Sequence, residues 1–200
     1  FQLILEVEEV FYLDDRNPVD VRRRGLEDAL IAAADQYIFA SDLLANRFSA
    51  GKDFAVVYGG YTIPPRIAQR RMDGNIHVVY AGGIDSLRRV DYAVKAFGLL
   101  PDGFRLHILG KGADQELERL RLEIEKVNCE AGYEKAEYVG CLYGREYDAY
   151  LESCHIGLNM QSIGSSIEDV AYPSKISSYM GRGLTVVSGR LSSVVASPFA

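Results

Sequence analysis

The 200-residue chain has no tryptophan, only three cysteines and three histidines, and no excess of basic charge, and each scarcity argues against a class of function. Cys129, Cys141 and Cys154 are an odd set without metal-ligand spacing, so the sequence is neither a disulfide scaffold nor a zinc module. The thiols read as buried or idle in a reducing cytoplasm. His77, His107 and His155 each sit in an apolar run and form no metal or nucleophile pattern, so they read as core or sheet-edge residues. There is no nucleophile elbow and no ordered Ser, His and Asp set. With 22 Lys and Arg against 28 Asp and Glu, the net charge is −6, which speaks against nucleic acid as a partner. The short basic clusters at residues 22–24 and 70–71 read as solvated faces. No apolar run reaches membrane-spanning length and no signal peptide is visible, which implies a cytoplasmic protein. Nothing repeats at a fixed period.

What is present is an ordinary globular composition, 48% hydrophobic and 25% charged, arranged as alternating strands and helices. Residues 1–7 suit a buried strand, 12–24 a polar loop, and 25–35 a helix with Leu26, Ala29, Leu30 and Ala33 on its apolar side. Strands follow at 37–40 and 54–58, with Ser41 or Asp42 capping the short helix between them. Residues 63–75, with Pro64, Pro65 and three arginines, read as a linker, so the chain divides into domains at 1–62 and 76–200. The second domain is the plainer pattern: strands at 76–81, 104–109, 135–139, 155–160 and 185–188, with helices between them. Ser86 caps the first helix, on which Leu87, Val90, Val94 and Phe97 form one face, and Leu117, Leu120, Ile124 and Val127 form the next stripe. Strands and helices alternating in this way imply right-handed βαβ units, a doubly wound parallel α/β sheet, and ligands at the loops after each strand.

Three of those loops carry chemistry. Gly82 and Gly83 follow the first strand and lack the third glycine of a dinucleotide fingerprint; their missing side chains allow close backbone approach, and Arg88 on the helix behind them is within reach of a phosphate. Gly110, Lys111 and Gly112 fail the Walker A pattern, because Gly112 stands at the Ser/Thr position. The most informative stretch is Tyr172, Pro173, Ser174 and Lys175, where a polar loop stops at proline and a helix opens at Ser174. A helix start with undonated N–H groups beside a Lys is an anion site. Tyr179 and Met180 on that helix read as core.

This last segment, with Ser178-Tyr179-Met180 and Gly183-Leu184-Thr185-Val186-Val187 after it, resembles the donor-binding segment of GT-B fold glycosyltransferases of the family 4 or group 1 type, in a subgroup of polysaccharide-synthesis enzymes. Residues 80–91 look like the same family's strand, Gly-Arg turn and Lys-Gly helix start, with Arg88 at the place of a diphosphate-binding Lys and Gly83 where many members have Arg. The resemblance covers nearly the whole chain. It implies a Rossmann-like nucleotide-sugar-binding domain at 76–200 and, at 1–62, the remnant of an acceptor-side domain truncated at the N-terminus. It further implies that Gly82, Gly83, Arg88, Ser174 and Lys175 hold the donor diphosphate, and that Gly110, Cys141, Leu142 and Ser178 lie at the nucleobase and ribose. The family's two glutamates fall on Val170 and Ser178 here, so contact with the donor sugar passes to Glu168 and Asp169. The implied activity is a hexosyltransferase-type transfer from a nucleotide-diphosphate sugar to a saccharide or lipid-linked acceptor in cell-surface polysaccharide synthesis. No cofactor or metal is required, the inner membrane face is a place of peripheral association, and the truncated chain is expected to bind donor but turn over poorly. The alternatives are a nucleotide-sugar epimerase, which needs acid/base groups in the cleft, and a non-catalytic nucleotide-binding module, for which the missing glutamates argue.

Overall fold

The computed structural model of the protein describes residues 1–8, 10, 18–60, 63, 70–86, 88–161 and 172–199, with the backbone alone over 18–21. These residues form two compact units: one from Phe1–Gly60, Ile163–Ser174 and Arg190–Ala200, the other from Tyr61–Ser162 and Lys175–Gly189. The division at 62 and 76 keeps the whole C-terminus with the second domain, whereas the described residues 172–174 and 190–199 cluster with the first. Aromatic burial is the reason: the Tyr58 ring meets Tyr172 at 4.9 Å and Phe199 at 5.7 Å, contacts too distant in sequence for local patterning to show.

In the first unit, β1 (Ile4–Val7), β2 (Gln36–Phe39) and β3 (Phe54–Val56) pair in that order as a parallel sheet. Helices α1 (Pro18–Ala33) and α2 (Asp42–Phe48) connect them. Ser41 caps α2, its hydroxyl accepting the Leu44 N–H at 3.1 Å. Two expectations fail. The first strand is largely exposed, with only Val7 buried, and α1 starts at Pro18, where a missing N–H costs nothing at a first helical position. Its inward residue is Ile31, while Leu26 and Leu30, expected in the apolar stripe, are exposed. The Tyr37 hydroxyl, donating to the Ile31 carbonyl at 2.6 Å, ties that side of the helix to β2. Helix α7 (Ser192–Val195) was not expected.

The second unit contains β4 (Ile76–Ala81), α3 (Val90–Gly98), β5 (Phe104–Leu109), α4 (Asp114–Ala131), β6 (Ala136–Gly140), α5 (Gly144–Glu152), β7 (Ile156–Asn159), α6 (Ser174–Gly181) and β8 (Thr185–Ser188). Its five strands are all parallel in the order β6-β5-β4-β7-β8. Counted from β4 this is 3-2-1-4-5, so the winding reverses between β4 and β7, the crevice where such sheets bind ligands. Alternate residues face opposite layers. Val78, Tyr80, Leu106 and Ile108 pack with Val94, Phe97, Leu120 and Ile124 of α3 and α4; Val79, Ala81 and Leu109 pack with Leu151 and Tyr179 of α5 and α6. Met180 is exposed, contrary to its core assignment, because the inward turn of α6 is taken by Ile176 and Tyr179.

Two of the histidines, His77 and His107, are core residues and His155 is half-buried at the start of β7; they meet toward the beginnings of the strands. His77 and His107 are buried, with rings stacked at 5.0 Å and His77 Nδ1 2.7 Å from His107 Nε2. His77 Nε2 donates to Asp73 at 2.9 Å, and His107 Nδ1 donates to Glu137 at 2.5 Å, where Tyr150 also donates. Carboxylates only accept, so each ring turns an N–H to its carboxylate. Burial lowers the pKa of His77, and that of His155, whose Nδ1 accepts the His77 backbone N–H. The hydrogen bond from His107 holds the Glu137 carboxyl down at about 2. Below the ordinary histidine value of 6.5, the unfolded chain takes up protons on His77 and His155 that the folded chain takes up only at lower pH, so stability falls with acidification. The urea midpoint should drop steadily from pH 6.5 to pH 5, and drop further as Glu137 and Asp73 approach protonation. A midpoint unchanged between pH 7 and pH 5 would contradict the lowered values of His77 and His155.

Candidate functional site

The loops at the carboxyl ends of β4, β5 and β6 are joined backbone to backbone. Gly82 donates to Leu109, Ile84 to Lys111 and Gly110 to Gly140, each at 2.9 Å. The approach is close enough to exclude side chains: a Cβ on Gly110 would overlap the Gly82 carbonyl oxygen, and Gly110 has φ +142° besides. Because the Gly82 carbonyl points at Gly110 and the peptide is trans, the Gly83 N–H points away from the β5 loop. Among the described residues nothing accepts it, whereas the flanking amides of Gly82 and Ile84 are both donated.

Lys175 lies over this turn. A Cβ on Gly82 would collide with the Lys175 side chain, and its ammonium is 5.8 Å from the centre of the Tyr80 ring. Beneath the turn Tyr80, fully buried, donates its hydroxyl to the Gly83 carbonyl at 2.5 Å. Helix α6 is docked by Tyr179, whose hydroxyl accepts the Ala81 N–H at 2.9 Å. That amide is available because β4 pairs with β7 only at Val78 and Val79. Gly157 leaves room for the Tyr179 ring, which a Cβ there would strike. Lys175, four residues before Tyr179, is on the same helix face and so comes to rest above Gly82. Burial pushes both tyrosines well above the ordinary phenol value, so both are neutral hydrogen-bonding groups.

Arg88 is placed differently from the sequence reading. Asp85, not Ser86, organises the helix entry, its carboxylate accepting the Arg88 N–H at 2.8 Å. The helix begins only at Val90, after Arg89 at φ +46°. Arg88 is therefore in the preceding turn, beside Gly83, and its guanidinium pairs with Asp85. Any anion reaching Arg88 competes with that carboxylate.

Gly82, Gly83, Arg88, Gly110 and Lys175 thus come together within the second unit. Cys141, exposed, and Leu142, half-buried, follow Gly140, to which Gly110 is bonded. Ser178 is on α6, but its hydroxyl and carbonyl both accept from Arg182, which also pairs with Asp148 of α5. This cluster escaped sequence reasoning, although the four-residue spacing of Ser178 and Arg182 on one helix was a signal. Ser174 is the first residue of α6 and clusters with the first unit. Glu168, Asp169 and Val170 lie outside the described residues. A cavity of about 450 Å³ between α3 and α4 is lined by charged groups that pair with one another, Arg89 with Asp91, Lys95 with Asp91 and Glu123, and Arg119 with Glu116. It offers no unbalanced charge to a ligand.

No protein-family model matches the chain, and no curated protein matches it in sequence. Solved structures do match it in shape. HepE of Anabaena, solved with UDP, superposes with a TM-score of 0.71 at 13% identity over 97% of this chain and 55% of its own. Sucrose-phosphate synthase from Thermosynechococcus elongatus gives 0.68 at 18% identity over 97% of this chain and 51% of its own. Trehalose-phosphate synthase from Burkholderia vietnamiensis gives 0.65 at 14% identity over 98% and 56%. The chain has a GT-B glycosyltransferase fold. It spans about half the length of the GT-B structures that it matches. The five-stranded second unit is the Rossmann-like C-terminal domain of that fold.

The Gly110 contact gives this geometry a direct test. Gly110→Ala should lower unfolding free energy by about 2 kcal/mol or more, through strain at positive φ and displacement of the Gly82 carbonyl. Urea denaturation that shows a loss below about 0.5 kcal/mol would show the loops to be looser than described.

Proposed function

We propose that this chain carries the donor-binding half of a glycosyltransferase, which takes a sugar from a nucleotide-diphosphate sugar. The observation that carries the reading is the placement of Lys175 over the Gly82 and Gly83 turn, beside an undonated amide, at the point where the winding of the sheet reverses. An ammonium and backbone amides converging at strand ends suit a diphosphate. They would do most for it as it leaves the sugar, when charge builds on its oxygens, so the same groups that bind the donor lower the barrier to transfer. HepE, solved with UDP and with UDP-glucose, supports UDP as the carrier to try first.

The finer reading is transfer of a hexose to a saccharide or lipid-linked acceptor in polysaccharide synthesis, on the cytoplasmic side of the membrane and in peripheral contact with it. The sequence resemblance supports it; no helix among the described residues is long and apolar enough to cross a membrane. Ser174 and the first amides of α6 extend the diphosphate site, and Cys141 and Leu142 flank the nucleobase. An epimerase is disfavoured by the histidines: His77 is four residues before Ala81, the last residue of the strand and roughly 13 Å away, and its ring is engaged with His107 and Asp73. A nucleotide-binding module without transfer is favoured by Ser178, which stands where the resembling family has a carboxylate and is engaged by Arg182.

Titration calorimetry with UDP tests the site. Lys175→Ala should weaken binding by at least about tenfold, the contribution of a charge-assisted contact. Arg88→Ala should weaken it less, because Asp85 already shares that guanidinium. Absence of UDP and GDP binding in the wild type, or unchanged affinity in both variants, would overturn the reading. Turnover of UDP-glucose in the presence of a saccharide acceptor separates a transferase from a binding module.

A further inference from the structure

The geometry points to Tyr80 as a positioning residue of the anion site: its ring supports the Lys175 ammonium while its hydroxyl sets the Gly83 peptide. The inference rests on the proposed donor site and assigns a role that motif comparison did not reach. Tyr80 is the penultimate residue of β4, wholly buried between the sheet and α3, with only its hydroxyl edge reaching the turn. A hydroxyl that merely needed a partner in the core could have bonded within the sheet. Here it reaches three residues ahead to the Gly83 carbonyl, at 2.5 Å. That bond fixes the peptide plane that follows Gly83, while the Gly82 carbonyl, held against Gly110, fixes the plane that precedes it. Between two fixed planes, the one undonated amide of the turn has a single direction.

The same ring faces the cation, with Lys175 Nζ 5.8 Å from its centre. An ammonium near a buried aromatic face is attracted by the ring quadrupole. Lys175 is also confined by the turn itself, since its side chain occupies the space above Gly82 where any other residue would put a Cβ. One buried side chain therefore braces the turn that carries the Gly83 amide, from the peptide that follows it, and supports the ammonium above. A tyrosine does both tasks; phenylalanine would keep only the ring contact, and leucine neither.

Calorimetry with UDP on the 200-residue chain, its Y80F and Y80L variants and the same pair in a Lys175→Met background separates the parts. Loss of the hydroxyl in Y80F should weaken binding about fivefold. The further step to Y80L should cost another factor of about three in the Lys175 protein and nothing in the Lys175→Met protein, because the ring acts through the ammonium. Wild-type binding with Y80F and Y80L unchanged, or a ring step that survives without Lys175, would refute the role of Tyr80 alone. Failure of the wild type to bind any nucleoside diphosphate would instead refute the donor site. Should Y80L not fold, Y80F and a spectroscopic measure suffice. The Lys175 ε-methylene, assigned through a Lys175→Arg variant, should be shifted upfield of the other lysines by the Tyr80 ring current in wild type and Y80F. An unshifted signal in the wild type overturns the contact.

Discussion

The site depends on a hydrogen bond from the Ala81 amide to the Tyr179 hydroxyl. It exists because β7 leaves β4 after Val79, where the sheet reverses its winding, and a buried amide cannot be left without an acceptor. Tyr179 supplies that acceptor from a helix more than ninety residues away in sequence. The bond fixes the height and rotation of α6, and Lys175, one turn earlier, follows. The absence of side chains at Gly82 and Gly157 makes room, for the Lys175 methylenes in one case and for the Tyr179 ring in the other.

At the strand beginnings the second unit solves a different problem. Two buried imidazoles each turn one nitrogen to a carboxylate, with the Arg71 guanidinium 3.3 and 3.4 Å from their facing nitrogens. A paired network of this sort holds a sheet end in one arrangement, because any member removed leaves the others with an unmatched donor or acceptor. The sheet therefore has a self-contained polar cluster toward its amino-terminal side. Toward its carboxyl-terminal side are the undonated Gly83 amide and, over the same turn, the Lys175 side chain.

Where the signal was local, the sequence was readable. β4, β5 and β8 fall on the residues that their apolar runs marked, and the buried stripe of α4 is Leu120, Ile124 and Val127, as its spacing required. Patterning failed where the apolar side was ambiguous. Leu26 and Leu30 are as hydrophobic as Ile31, and only packing against β2 decides which of them turns inward. It failed again at α3, which opens at Val90 and not after Ser86, because the Asp85 carboxylate accepts the Arg88 N–H and holds Asp85 and Arg88 in a separate turn. Among site residues, the family resemblance named Gly82, Gly83, Arg88 and Lys175 as neighbours. The parts played by Tyr80, Tyr179, Arg182 and Asp148 were not legible, since a tyrosine in an apolar run looks like core until its hydroxyl has a direction.

By itself the sequence determined the class of fold and the chemical character of the loops: parallel strands from the alternation of buried runs and helical stripes, and a phosphate-suited turn from glycines and a Pro-Ser-Lys helix start. Those properties depend on neighbours a few residues apart, where steric and hydrogen-bonding preferences act directly. Tertiary structure alone decided what surrounds each of the two cations. Lys175 and Arg88 are both plausible phosphate ligands on paper. Folding sets Lys175 above an undonated amide and an aromatic ring, and gives Arg88 a carboxylate three residues away. Electrostatic strength depends on distance and surroundings that a linear order does not contain.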